Sequence, residues 1–134
     1  MRDVVIVDSV RTGLTKAFKG SFNLTRSDDM LAHCIDSLLD RNPNLSPEEV
    51  EDVVVGAATH AGEQDGNLAR LAVVLSKLPI TVAGVSINRF CSSGLQAIAI
   101  AANQIASGQT EVAIAGGVDS ISMRTRQAPG KNKQ

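Results

Sequence analysis

Apolar positions along this chain come in short blocks with two different spacings, and their alternation predicts the architecture. Val4, Val5, Ile6 and Val7, with Val10, make a β-branched run that predicts a buried strand over Asp3–Val10. Met30, Leu31, Cys34, Ile35, Leu38 and Leu39 instead recur at helical spacing, so a helix over roughly Asp28–Arg41 presents one apolar stripe. Ser27 or Asp28 can cap it. Asn42-Pro43-Asn44 ends it, and Ser46-Pro47-Glu48-Glu49 opens a single helical turn with a Ser46–Glu49 capping box. Val53–Ala57 is a second strand. Thr59–Asn67 is a glycine-containing turn into a helix over Asn67–Leu78, with Leu68, Leu71, Ala72 and Leu75 on one side and Pro79 as its stop. Val82–Asn88 reads as a third strand and Leu95–Ala106 as an Ala- and Ile-rich helix, with Gly108 where a C-cap is wanted. Glu111–Ala115 is a fourth strand. Gly116-Gly117 after it permits close backbone approach.

The order β-α-β-α-β-α-β predicts an α/β fold: a mainly parallel sheet with right-handed crossovers and helices packed on it. One helix stands apart. Over Leu95–Ala106 only Gln96, Asn103 and Gln104 are polar, so this helix requires burial on most sides.

Composition narrows the function classes. The 134 residues suffice for one domain, 1–134. With 43% hydrophobic and 20% charged residues, the chain is globular rather than disordered. A net charge of −1 gives no electrostatic case for nucleic acid or an anionic membrane. The absence of Trp and Tyr removes base-stacking platforms. No apolar run is long enough to span a bilayer, and Asp8 interrupts the only signal-like stretch. Two cysteines without a CxxC spacing argue against a disulfide or zinc framework, so no metal is expected and the reducing cytoplasm is the expected location, with a matrix-type organelle as the alternative. From Arg124 onward the chain becomes basic and loop-like, a composition that can meet acidic partners. No G-x-G-x-x-G follows the first strand, which disfavours a dinucleotide site.

The candidate chemistry centres on Cys91. It lies between the Val82–Asn88 strand and the following helix, in Arg89-Phe90-Cys91-Ser92-Ser93-Gly94. Unpartnered N–H groups and the macrodipole of a helix N-terminus favour a thiolate there, and the same donors can hold an oxyanion. Ser92, Ser93 and Gly94 are small enough to let a substrate approach. A free cysteine is also an ordinary small core residue, and spacing alone leaves both readings open. Cys34, on the apolar stripe, reads as core. His33 reads as surface or boundary, Lys16 and Lys19 as solvated charges, and His60 lies near the carboxyl end of a strand, where ligands gather in α/β sheets.

Asn88-Arg-Phe-Cys-Ser-Ser-Gly-Leu-Gln-Ala97 resembles the nucleophile segment of the thiolases, acyl-CoA acyltransferases that cleave or form 3-ketoacyl-CoA. Val4–Thr12 resembles the first strand and turn of that family, Ala61–Arg70 its Gly-rich turn into a helix, and Ala115–Ser122 the strand end after the nucleophile helix. The resemblance covers nearly the whole chain but only about the first third of a usual thiolase. The expectation is therefore an incomplete N-terminal thiolase domain, truncated before the second half. It implies an acyl-enzyme on Cys91, with Cys91's own N–H as a candidate oxyanion donor. Acyl-CoA and CoA are the implied substrates, with no bound cofactor. A homo-oligomer through the strand near Thr81–Ile87 is also implied. The family's activating histidine, second cysteine and Asn- or His-containing oxyanion site lie in later motifs, and no His or Cys follows Cys91 here. The chain alone is then expected to be inactive. The alternatives are a non-catalytic fragment acting as a dimerisation or binding module, and a β-ketoacyl synthase relative, against which Val10-Arg-Thr12 and Asn88–Ala97 favour thiolase. Arg41-Asn-Pro43 and Glu63-Gln64 are slightly closer to degradative, fatty-acid-oxidising members than to biosynthetic ones.

Overall fold

A computed structural model describes residues 2–124. The basic stretch from 125 onward lies outside the described residues. Three parallel strands form the sheet: β1 (Asp52–Gly56), β2 (Ala83–Ile87) and β3 (Ala113–Gly117), in the order β2-β1-β3. Asp52 stands beside Ala83 on one side and Ala113 on the other, and Gly56 beside Ile87 and Gly117. The carboxyl ends of all three strands therefore finish level, at one edge of the sheet.

Strand alternation sends Val53 and Val55 of β1 to one face and Val54 to the other. Helices α1 (Ser27–Arg41) and α2 (Leu68–Leu75) cover the first face, where Leu31, Ile35, Leu39, Leu68, Ala72 and Val73 close the main core. Helix α3 (Ser93–Ala106) covers the second through Ala97 and Ala101, both packed on Val54. A short α4 (Ile121–Arg124) follows β3.

The α/β class and parallel sheet stand as the sequence predicts, but the first strand of the β-α-β-α-β-α-β order does not form among the described residues. Asp3–Val10 has no ladder partner, and Ile6 is 79% exposed. Among the described residues the segment is tethered near its ends: Arg2 N donates to Ala106 O at 3.1 Å, and the Asp8 carboxylate takes Arg41 and the Asn42 amide. A β-branched run specifies a surface that wants burial, whereas a strand also needs a neighbour for its N–H and C=O groups.

The helices differ in smaller ways. At α1 neither Ser27 nor Asp28 caps: the Ser27 hydroxyl donates to the buried Glu63 (3.1 Å), and Asp28 takes the Arg26 guanidinium through Nε and Nη2. The Ser46–Glu49 turn forms as expected, with Ser46 N donating to the Glu49 carboxylate at 2.8 Å. Helix α2 ends at Leu75 rather than Leu78, and its buried side is Leu68, Ala69, Ala72 and Val73, leaving Leu71 and Leu75 exposed. Bonds to the β2 segment set that rotation. Asn67 caps α2 by accepting from Arg70 N and donates to Gly84 O, while the Arg70 guanidinium donates to Val82 O and Ile80 O. Gly108 ends α3 in the left-handed region, φ 78°, with its N–H on Ile105 O.

Candidate active site

The turn between β2 and α3 is tight. Phe90 sits at φ 49°, a left-handed conformation that a bulky residue adopts only when its surroundings impose it. Asn88 and Ser93 impose it. Asn88 Oδ1 accepts from Phe90 N at 2.8 Å. The buried Ser93 hydroxyl accepts from Arg89 N (2.8 Å) and donates to Phe90 O (2.6 Å). The next residue, Cys91, is exposed with a free thiol.

Glycines seat this turn on the strand ends. A Cβ at Gly56 would come within 2.2 Å of the Ser93 carbonyl, and one at Gly117 within 2.9 Å of Gly94 Cα. The first turn of α3 thus rests on the ends of β1 and β3, and only glycine permits that approach. Of the predicted pair, Gly117 makes the close contact and Gly116 faces open space. Gly94 likewise faces Gly117 and Ser93 is buried, so Ser92 is the small residue of the predicted trio left exposed to a substrate.

The donor set differs from a bare helix end. Ser92 N and Ser93 N are committed to Arg89 O and Phe90 O, at 3.1 and 3.0 Å. Among the described residues the amides of Gly94 and Leu95 meet no acceptor. Cys34 contrasts with Cys91. It is half-buried on α1, and burial pushes its thiol above the usual range, with a backbone hydrogen bond from Thr12 opposing. Cys34 lies on the inner side of α1 but outside the buried core of Leu31, Ile35 and Leu39.

The other candidates fall elsewhere. His33 is exposed and lines a shallow hollow with Thr12, Phe22 and Met30. His60 lies in the turn after β1, its ring Nε2 3.0 Å from Ala57 O. Among the described residues no side chain hydrogen-bonds the Cys91 thiol. Around it, however, the strand ends are stitched by groups that sequence reasoning missed. Asp119 accepts from Ala58 N (2.8 Å) and Thr59 N (3.1 Å), and buried Gln64 bridges Thr59 O, Asp119 and Ser120 N. The Asn88 contact had a local signal, since Asn often hydrogen-bonds the amide two residues on. Asp119 meets Ala58 across 61 positions of chain, a juxtaposition only the fold creates.

A family model described as "Thiolase, N-terminal domain" matches residues 4–134. The chain belongs to the thiolase family. Among curated thiolases, a beta-ketoadipyl-CoA thiolase of Pseudomonas knackmussii is 44% identical over 121 residues, covering 90% of this chain and 30% of that protein. A 3-oxoadipyl-CoA/3-oxo-5,6-dehydrosuberyl-CoA thiolase of Escherichia coli K12 is 43% identical over 122 residues, covering 91% and 30%. A 3-ketoacyl-CoA thiolase of Pseudoalteromonas atlantica is 40% identical over 119 residues, covering 89% and 31%. This thiolase chain thus spans about three tenths of the length of the curated relatives it matches. No described helix is long and apolar enough to cross a membrane.

Proposed function

We propose that this chain supplies the nucleophile of a thiolase-type acyltransferase, with Cys91 as the acylated residue. The observation that carries it is an exposed thiol presented by a left-handed turn at the common carboxyl edge of a parallel sheet. In the proposed reaction the Cys91 thiolate attacks the 3-keto carbon of a 3-ketoacyl-CoA. The C2–C3 bond breaks, acetyl-CoA departs as a carbanion that takes up a proton, and the acyl group stays on sulfur. CoA thiolate then displaces it as acyl-CoA, and the regenerated cysteine thiolate is ready for the next cycle. The Cys91 N–H is the proposed oxyanion donor, beside the unclaimed amides of the first turn of α3. The described residues place no general base on the thiol, so among them the nucleophile stands without an activator. Two free cysteines, Cys34 and Cys91, suit a reducing cytoplasm.

Alkylation by iodoacetamide across pH 5–9, mapped by mass spectrometry, tests the reading first. Cys91 is expected to label ahead of Cys34 and ahead of the same cysteine in the unfolded chain. Equal labelling of both cysteines, with an ordinary thiol pH profile, overturns it. Thiolysis of acetoacetyl-CoA and of 3-oxoadipyl-CoA, the latter suggested by the relatives' names, is the second assay. No turnover is expected from this chain alone.

The edge position of β2 favours one second reading, a dimerisation module. Ala83 N and Ile87 O bond toward β1, so Gly84 and Ser86 turn their backbone groups to the open side, where Asn67 takes only Gly84 O. A second copy pairing here would use the rest. Under that reading Val85→Lys converts a dimer to a monomer by sedimentation and leaves Cys91 labelling unchanged. Turnover abolished by Cys91→Ala would exclude a binding-only role.

A further inference from the structure

We propose that Asp119 is a positioning residue for the nucleophile turn, acting on Cys91 through Ala58 and Asn88. The inference rests on the assignment of Cys91 as nucleophile. A continuous run of hydrogen bonds supports it. Asp119, just beyond β3, receives Ala58 N and Thr59 N just beyond β1. Ala58 offers its carbonyl in turn to Asn88 Nδ2, 3.0 Å away and just beyond β2. The other end of the same amide, Oδ1, receives Phe90 N and so holds the left-handed residue that precedes Cys91. One carboxylate thereby ties together the ends of all three strands, and its last link is the turn that aims the thiol. Gln64 anchors the first link: it is fully buried, donates to both Thr59 O and Asp119 Oδ1, and accepts from Ser120 N at 2.6 Å.

The chemistry requires a carboxylate at this point. Two backbone donors and one amide donor converge on it, so both oxygens must accept. An asparagine keeps one acceptor and turns an NH2 toward an N–H. The Ala58–Thr59 segment then shifts, Asn88 loses its fixed partner, and Phe90 is free to leave the left-handed region. None of this needs Asp119 to touch substrate.

The test uses the full chain, with Cys91 labelling by neutral iodoacetamide and by anionic iodoacetate. Asp119→Asn is expected to slow both reagents about equally, by about tenfold, as displacement of a reacting group does. Asp119→Glu, which keeps both acceptors, is expected to restore most of the rate. Asn88→Ala should slow labelling to a similar degree, and the double variant no further, because both changes cut one path. Slowdowns that multiply in the double variant overturn the proposal. So does an Asp119→Asn variant that accelerates iodoacetate alone, which would show the carboxylate acting only by its charge. Hydrogen exchange at the Phe90 amide gives a readout independent of nucleophilicity: faster exchange is expected in Asp119→Asn, and unchanged exchange overturns the proposal. Should wild-type Cys91 label like an ordinary thiol, the assignment of Cys91 as nucleophile fails while the exchange result still decides the positioning role. Should Asp119→Asn fail to fold, Asn88→Ala and Asp119→Glu carry the same comparison.

Discussion

Val53 and Val54 are adjacent on the same strand and both fully buried, yet what covers them differs. Val53 lies under two helices, α1 and α2, whose leucines, isoleucine and alanines close a continuous core. Val54 lies under one helix, α3, which buries only Ser93, Ala97 and Ala101 of its own residues. The outer side of α3 is apolar and open, with Leu95 72% exposed and Ile98 also exposed. The closed face holds the sheet together, whereas the open face carries the nucleophile. The difference follows from residue size. Alanines and glycines let α3 settle directly on the strand ends, which places Cys91 accurately but removes little apolar surface from water.

The sharpest test of that division is a truncation on the closed side. Leu68 is fully buried, and Leu68→Ala is expected to cost about 2–5 kcal/mol, measured by urea denaturation. For a domain of this size that is a large part of total stability. A clash on the open side should cost somewhat less and act differently. A methyl group at Gly56 meets the Ser93 backbone at 2.2 Å, so Gly56→Ala must push α3 off β1. The expected cost is about 1–3 kcal/mol, and Cys91 labelling should move toward the unfolded-chain rate while Cys34 remains protected. Both cysteines moving together to their unfolded-chain rates would show that the two faces unfold together.

The same division explains what is legible in the sequence. β1 follows from its continuous valine run, buried on both faces, and the core positions Leu31, Ile35 and Leu39 of α1 follow from helical periodicity. The site is legible where it is local: a strand, a small-residue turn and an Ala-rich helix announce Cys91. The run Val4–Val7 misleads for the same reason that β1 does not, since apolar content specifies burial and says nothing of a ladder partner. The inward face of α2 is misassigned because Asn67 and Arg70, bonded to the β2 segment, set its rotation, and no helical periodicity encodes that. Asp119 and Gln64 are silent in sequence because their partners are distant in the chain.

The two cysteines sharpen the comparison by pH. Cys34 belongs to the closed side, and burial raises its pKa. A thiol with a raised folded pKa contributes stability that is fully present below its unfolded pKa, and loses it as pH rises through the folded value. Wild-type stability should therefore fall as pH climbs above the roughly 8.5 of a free thiol, and Cys34→Ala should flatten that part of the curve. The readout is the urea midpoint between pH 7 and 10. A slope unchanged by Cys34→Ala would mean that this thiol is as well solvated in the folded chain as in the unfolded one. Because Cys34 is only half-buried, the effect is smaller than either packing change.

The smallest expected effect on stability lies on the outer side of α3. Leu95 is mostly exposed, so Leu95→Ser removes almost no buried area, and the urea midpoint should correspond to a change within about 0.5 kcal/mol. Its near-neutrality is informative because Leu68→Ala removes the same kind of side chain from the other side of the sheet. A contiguous apolar surface through Leu95 and Ile98 favours self-association. Leu95→Ser should consequently lower light scattering at high protein concentration while leaving the monomer's stability alone. A stability loss as large as that of Leu68→Ala would show that Leu95 is covered in solution, and the open face would then be an interface.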